Sequence, residues 1–134
     1  MNKPDTALVL RSDSDGVSTL TLNRPEALNA LSPLLFEQLR SHLDDLAASP
    51  DTVGVVVLNS KGRSFSAGND LKAIERGEHA SSAYQQAETL DLIEAIPQPV
   101  IASVRGHCYT GALELVLACD LLICSDDARF CDTH

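Results

Sequence analysis

Residues 99 to 124, PVIASVRGHCYTGALELVLACDLLIC, decide the architecture of this chain. PVIASVR (Pro99 to Arg105) is an apolar run of strand length, the form taken by a strand buried on both faces. Gly106 to Gly111 reads as a loop, Ala112 to Ala118 as a short apolar helix, and Leu121 to Cys124 as the next strand. Strand, loop, helix and strand in succession argue for an α/β architecture.

The rest of the chain extends this pattern in both directions. Upstream, VGVVVLN (Val53 to Asn59) is a second run of buried-strand character, closed by the turn Ser60-Lys61-Gly62. The small, polar segment FSAGND (Phe65 to Asp70) leads to a short helix from Leu71. A more polar helix follows over residues 80 to 95, stopped by Pro97 and Pro99. Earlier still, Ser32 is placed to cap a helix whose first residue is Pro33, with Leu35, Leu39, Leu43 and Leu46 at helical spacing. ALVLR (7 to 11) and VSTLTL (17 to 22) are strands flanking the hairpin signal Asp15-Gly16. Downstream, Ala128 to Cys131 is a further strand candidate. No linker or low-complexity segment interrupts residues 1 to 134, which read as a single domain with a Val, Leu, Ile and Ala core.

Composition limits the partners. The formal net charge is -9, from 19 acidic and 10 basic residues, a balance opposed to phosphate-backbone recognition; nucleic acid is not expected. No apolar stretch reaches about 18 residues and no leader pattern opens the chain, so neither a membrane span nor export is expected, and the cytoplasm is the default compartment. Cys108, Cys119, Cys124 and Cys131 form no C-x-x-C pair and read as inert core thiols, with no metal site.

Two glycine-bearing loops follow buried strands and lead into helices: Ser66 to Asp70 (SAGND) and Gly106 to Glu114 (GHCYTGALE). Small residues let a ligand approach the backbone, and helix N-termini present unpaired N–H groups. Two such loops meeting could hold one oxyanion between them; each alone is equally an ordinary strand-to-helix turn.

LNRPEALNAL (Leu22 to Leu31), FSAGNDLK (Phe65 to Lys72) and PVIASVRGHCYTGALELVLACDLLI (Pro99 to Ile123), in this order, resemble the successive signatures of the crotonase (enoyl-CoA hydratase/isomerase) family. The resemblance covers nearly everything from residue 17 onward. It implies a crotonase-like (ClpP/crotonase) spiral of repeated ββα units with the C-terminal helical part missing, since members of the family are about twice as long. It implies an acyl-CoA thioester substrate, with coenzyme A as part of the substrate and no separate cofactor. Full-length members form trimers or dimers of trimers.

Matched residue by residue, the resemblance gives Asn69 and Gly111 the two oxyanion-hole N–H groups and Glu114 the acid/base carboxylate. An exposed first-turn glutamate is the plain alternative for Glu114. Ala27, Leu28 and Ala30, with Ser66, Ala67, Gly68, Asp70 and Leu71, would line the coenzyme A path. Arg24 and Lys72 are either phosphate partners or solvated surface charges.

Two departures stand out. The family's run of glycines is reduced to Thr110-Gly111-Ala112, and the second hydratase glutamate, about twenty residues after the first, is replaced by His134. A histidine exchanges protons near neutral pH, while Asp132 falls two residues early. The expectation is therefore an enoyl-CoA hydratase, with a double-bond isomerase or a non-catalytic acyl-CoA-binding protein as alternatives. A serine-hydrolase reading of Gly62-Arg63-Ser64-Phe65-Ser66 fails at its last position.

Overall fold

The computed structural model describes residues 7–133. Strands β1 (Val9–Ser14) and β2 (Val17–Leu22) pair antiparallel across Asp15 and Gly16. Both turn residues have positive φ, 52° and 79°, as a two-residue hairpin whose twist matches its strands requires. Strands β3 (Val55–Ser60), β4 (Val100–Val104) and β6 (Leu121–Cys124) add in parallel, giving the order β1-β2-β3-β4-β6.

Helix α1 (Pro33–Ala47) begins as the sequence indicates, with the Ser32 hydroxyl accepting from the Leu35 N–H at 3.2 Å. Its apolar stripe, Leu35, Phe36, Leu39, Leu43 and Leu46, is fully buried in the core with Leu20, Leu22, Val56 and Leu58. Each such side chain contributes about 1.5–3 kcal/mol as an upper bound. Helix α2 (Leu71–Glu75) is short, and α3 (His79–Ala95) packs on α1. The polar character of α3 points inward: its buried residues are Ser82, Gln86, Thr89 and Ile93. Helix α4 (Gly111–Leu117) completes the described helices.

Three sequence expectations need correction. Gly106 to Gly111 is not only a loop: His107–Tyr109 is strand β5, paired in parallel with β7 (Arg129–Cys131). Its partners are remote in sequence, so no local signal marks it. The inner strands are also not buried on both faces. In β3 and β4, Val56, Leu58, Val100, Ala102 and Val104 are buried, while Val55, Val57, Ile101 and Ser103 between them are not. All of β6 is exposed, Leu121 and Ile123 to 59% and 62%. Only one face of the sheet meets the core, so the apolar residues on the other remain uncovered among the described residues. Finally, only Cys108 and Cys119 match the inert core description, burial pushing both thiols up to about 12; Cys124 and Cys131 are exposed.

Candidate active site

The second sheet aligns the loops. Ser66 is bridged to Cys108, and Cys108 pairs in turn with Phe130. Three successive strand-loop segments therefore lie side by side in register. Three residues beyond each member of this row stand Asn69, Gly111 and Thr133. The two residues expected to donate to an oxyanion thus occupy equivalent positions in neighbouring repeats. Among the described residues, neither the Asn69 nor the Gly111 N–H is used in a protein hydrogen bond.

The first loop is fixed by its own polar groups. The Ser66 hydroxyl donates to the Asn29 carbonyl at 2.8 Å and accepts from the Gly68 N–H at 3.1 Å. Main-chain bonds from Ala67 to Leu28 (3.0 Å), from Leu31 to Gly68 (2.8 Å) and from Asp70 to Leu31 (3.0 Å) stitch it to residues 28–31. Gly68, at φ +98°, lies flat against the second loop: a Cβ there would stand 2.4 Å from Thr110 Oγ1 and 2.7 Å from the Tyr109 carbonyl. Asp70 then caps α2, its Oδ1 accepting from the Lys72 and Ala73 N–H groups, while Oδ2 holds Arg24 at 2.8 Å. Partial burial pushes the Asp70 carboxyl up, but the Arg24 guanidinium and the Ala73 and Lys72 N–H groups outweigh it and hold the group below its ordinary 3.8.

Residues 22 to 31 are shaped by Asn29. Its Oδ1 accepts from the Arg24 N–H at 2.7 Å, and its amide donates to the Lys61 and Ser64 carbonyls at 2.8 and 3.1 Å. After a 3-10 turn at Pro25–Ala27, Leu28 and Asn29 both take left-handed conformations, φ 51° and 52°. The segment therefore curls over the first loop and leaves a cleft of about 520 Å³ between them.

Of the coenzyme A path residues, Arg24, Ala27, Leu28, Ala30, Ala67, Asp70, Leu71 and Lys72 line this cleft together with Asn69. Ser66 and Gly68 do not; both are buried, and their polar groups are taken up by one another and by residues 29 and 31. Glu26, Tyr109, Thr110 and Thr133 are cleft residues that the sequence does not assign to the coenzyme A path. Arg24 is ion-paired with Asp70, whereas Lys72 sits exposed at the lip beside Leu71, itself 71% exposed.

The second loop holds Gly111 and Glu114 on the first turn of α4. Thr110, immediately before, has φ 49° and ψ −111°, a region a β-branched residue rarely enters. Its N–H is anchored on the Cys131 carbonyl at 2.8 Å. Gly111 admits no side chain: a Cβ would lie 2.0 Å from Asn69 Oδ1 and 3.0 Å from Gln86 Oε1. The Asn69 Oδ1 is buried without a hydrogen-bond partner among the described residues. Glu114 is half-buried, and its Oε2 accepts from the Gln86 amide at 2.9 Å. His134 lies outside the described residues. Among the described residues no cluster of three or more His, Cys, Asp or Glu side chains could hold a metal ion, and no helix is long and apolar enough to cross a membrane.

Known proteins resemble this chain in sequence and in fold. The sequence profile of the enoyl-CoA hydratase/isomerase family matches residues 12–134. The chain is 32% identical over 130 residues to "Probable enoyl-CoA hydratase 1, peroxisomal" of Arabidopsis thaliana, covering 97% of this chain and 49% of that protein. It is 32% identical over 146 residues to the peroxisomal Delta(3,5)-Delta(2,4)-dienoyl-CoA isomerase of the same plant, covering 97% and 52%. An enoyl-CoA hydratase/isomerase structure from Xanthobacter autotrophicus superposes with a TM-score of 0.86 at 34% identity, covering 93% of this chain and 48% of that one. The chain spans about half the length of the relatives it matches, and its α/β architecture is that of the crotonase fold. By sequence and by structure, this chain belongs to the enoyl-CoA hydratase/isomerase family.

Proposed function

We propose that the chain carries the oxyanion hole and the principal acid/base group of an enoyl-CoA hydratase, adding water reversibly to a trans-2-enoyl-CoA. The observation that carries this reading is the equivalent placement of Asn69 and Gly111, each three residues beyond the bridged pair Ser66 and Cys108, with Glu114 on the same helical turn as Gly111. Two N–H groups aimed at one thioester oxygen favour the enolate over the neutral carbonyl, which is where negative charge develops. In the hydration direction, the Glu114 carboxylate removes a proton from water as the water oxygen bonds to C3. The C2–C3 π electrons move to the thioester and rest on its oxygen as an enolate. Protonation at C2 returns the electron pair and completes the addition. Glu114 delivers that proton, or His134 does, taking the place of a second carboxylate. Coenzyme A enters only as part of the substrate, along the cleft from Lys72 to Ala27, and the full-length protein assembles as a trimer or a dimer of trimers.

A second reading is double-bond isomerisation. It is favoured by the single glutamate at the oxyanion hole and by the equally similar dienoyl-CoA isomerase relative. One base then shuttles a proton between C4 and C2 with no water added. The two are separated by assaying the full-length chain on crotonyl-CoA and on a 3-hexenoyl-CoA. Hydration is expected to dominate, and Glu114→Ala to lower turnover by about 10²–10⁴-fold. Full activity in that variant removes Glu114 from the mechanism. Tight acyl-CoA binding without turnover of either substrate would make the chain a binding protein.

A further inference from the structure

We propose that Gln86 is a positioning residue for Glu114, fixing the carboxylate relative to the Gly111 N–H. This rests on the acid/base reading of Glu114. Gln86 belongs to α3, a different element from both loops, and is only 7% exposed. Its Nε2–H donates to Glu114 Oε2 at 2.9 Å. The other end of the same amide stands 3.0 Å from where a Cβ on Gly111 would be. One side chain therefore bonds the carboxylate and lies close beside the residue that bears the oxyanion donor, at opposite ends of a single helical turn.

Packing alone does not account for this residue. Leu or Met would fill the same space without burying an amide, whose unpaired burial costs about 1–3 kcal/mol. The amide lies on the buried face of α3, and its donor is directed at the Glu114 carboxylate. A glutamate on a helix has several rotors, and proton transfer needs its oxygen held to within a few tenths of an ångström of a reacting position. An amide also serves this purpose without titrating, so it holds the carboxylate equally at any pH at which Glu114 is ionised.

The test is a double-mutant cycle in the full-length chain with crotonyl-CoA. Gln86→Met keeps the volume and removes the donor. The expectation is a kcat about 10- to 30-fold lower with KM changed less than about twofold. In a Glu114→Ala background the same change should leave the residual rate within about twofold, because the effect passes through the carboxylate. If Gln86→Met does not fold, Gln86→Leu also removes the donor at similar volume and should lower kcat by a similar factor. A normal kcat in either folded variant overturns the proposal. So does a loss of equal size in the Glu114→Ala background, which would mean that Gln86 acts through the fold. A Glu114→Ala protein as active as wild type removes the acid/base reading itself, whatever Gln86 does. Failure of the wild type to turn over either crotonyl-CoA or a 3-hexenoyl-CoA overturns both.

Discussion

The two loops that meet at the site reach the same end by different means. The first, Ser66 to Asp70, carries its own instructions. A glycine takes the positive φ, a serine hydroxyl bridges the turn, and an aspartate caps the helix that follows. The second, Tyr109 to Glu114, does not. The residue with the unusual backbone is Thr110, and what keeps it there is external: the Cys131 carbonyl on one side and the flat face of Gly68 on the other. A conformation costing about 1–3 kcal/mol persists only where its surroundings over-determine it. The first loop is therefore the mould and the second is the cast.

This contrast can be broken most forcibly at Gly68. Gly68→Ala places a Cβ against the backbone of Tyr109 and the hydroxyl of Thr110 and imposes a left-handed φ on alanine. A loss of about 3 kcal/mol in denaturant unfolding is expected. Unchanged stability would mean that the mould does not bear on the cast.

Asp70 gives the next effect. Its folded pKa lies below the ordinary carboxylate value, so its contribution is complete above about pH 4 and is lost as pH falls through the folded value. Asp70→Asn keeps a capping oxygen but loses the Arg24 ion pair. It should cost about 1 kcal/mol at neutral pH, a gap from wild type that closes in unfolding titrations below pH 3.8. A gap that stays constant down to pH 2 assigns the effect to packing instead.

The smallest expected change is at Thr110. Thr110→Gly relieves the backbone at φ 49° but loosens the unfolded chain, leaving a net stabilisation of about 0.5–1 kcal/mol in thermal melts. A destabilised variant would show that the threonine side chain, wedged over Gly68, matters more than its backbone.

The same contrast explains what was legible in the sequence. Local chemistry could be read directly. The Ser32 cap, the Leu35 to Leu46 stripe and the Asp15-Gly16 hairpin all appear where their residues indicate. The residues of both loops were named through the order of three motifs, and the cleft gathers most of those assigned to the first loop and its neighbours. What could not be read depends on distant partners. Strand β5 exists because Ser66 and residues 129–131 flank it. Ser66 looked available for substrate but is consumed by Asn29, far away in sequence. Gln86 left only one signal, a helix whose polar residues recur at buried positions, and such a stripe gains meaning only once Glu114 is seen facing it. Thr133 enters the cleft through the repeat, and the repeat shows in the register of strands and not in the letters.

The order of the main sheet, β1-β2-β3-β4-β6, follows the order of the chain without a reversal. During synthesis each of these strands therefore leaves the ribosome to find its neighbour already translated and able to template it, so the sheet can lengthen at the pace of translation. None of its strands must wait for a later segment to be threaded between existing ones. Growth has a single front, which in the described residues is the apolar β6, with Leu121, Leu122 and Ile123 facing solvent. An uncovered apolar strand at a sheet edge is the kind of surface on which another chain can pair, and β6 is where this sheet offers it.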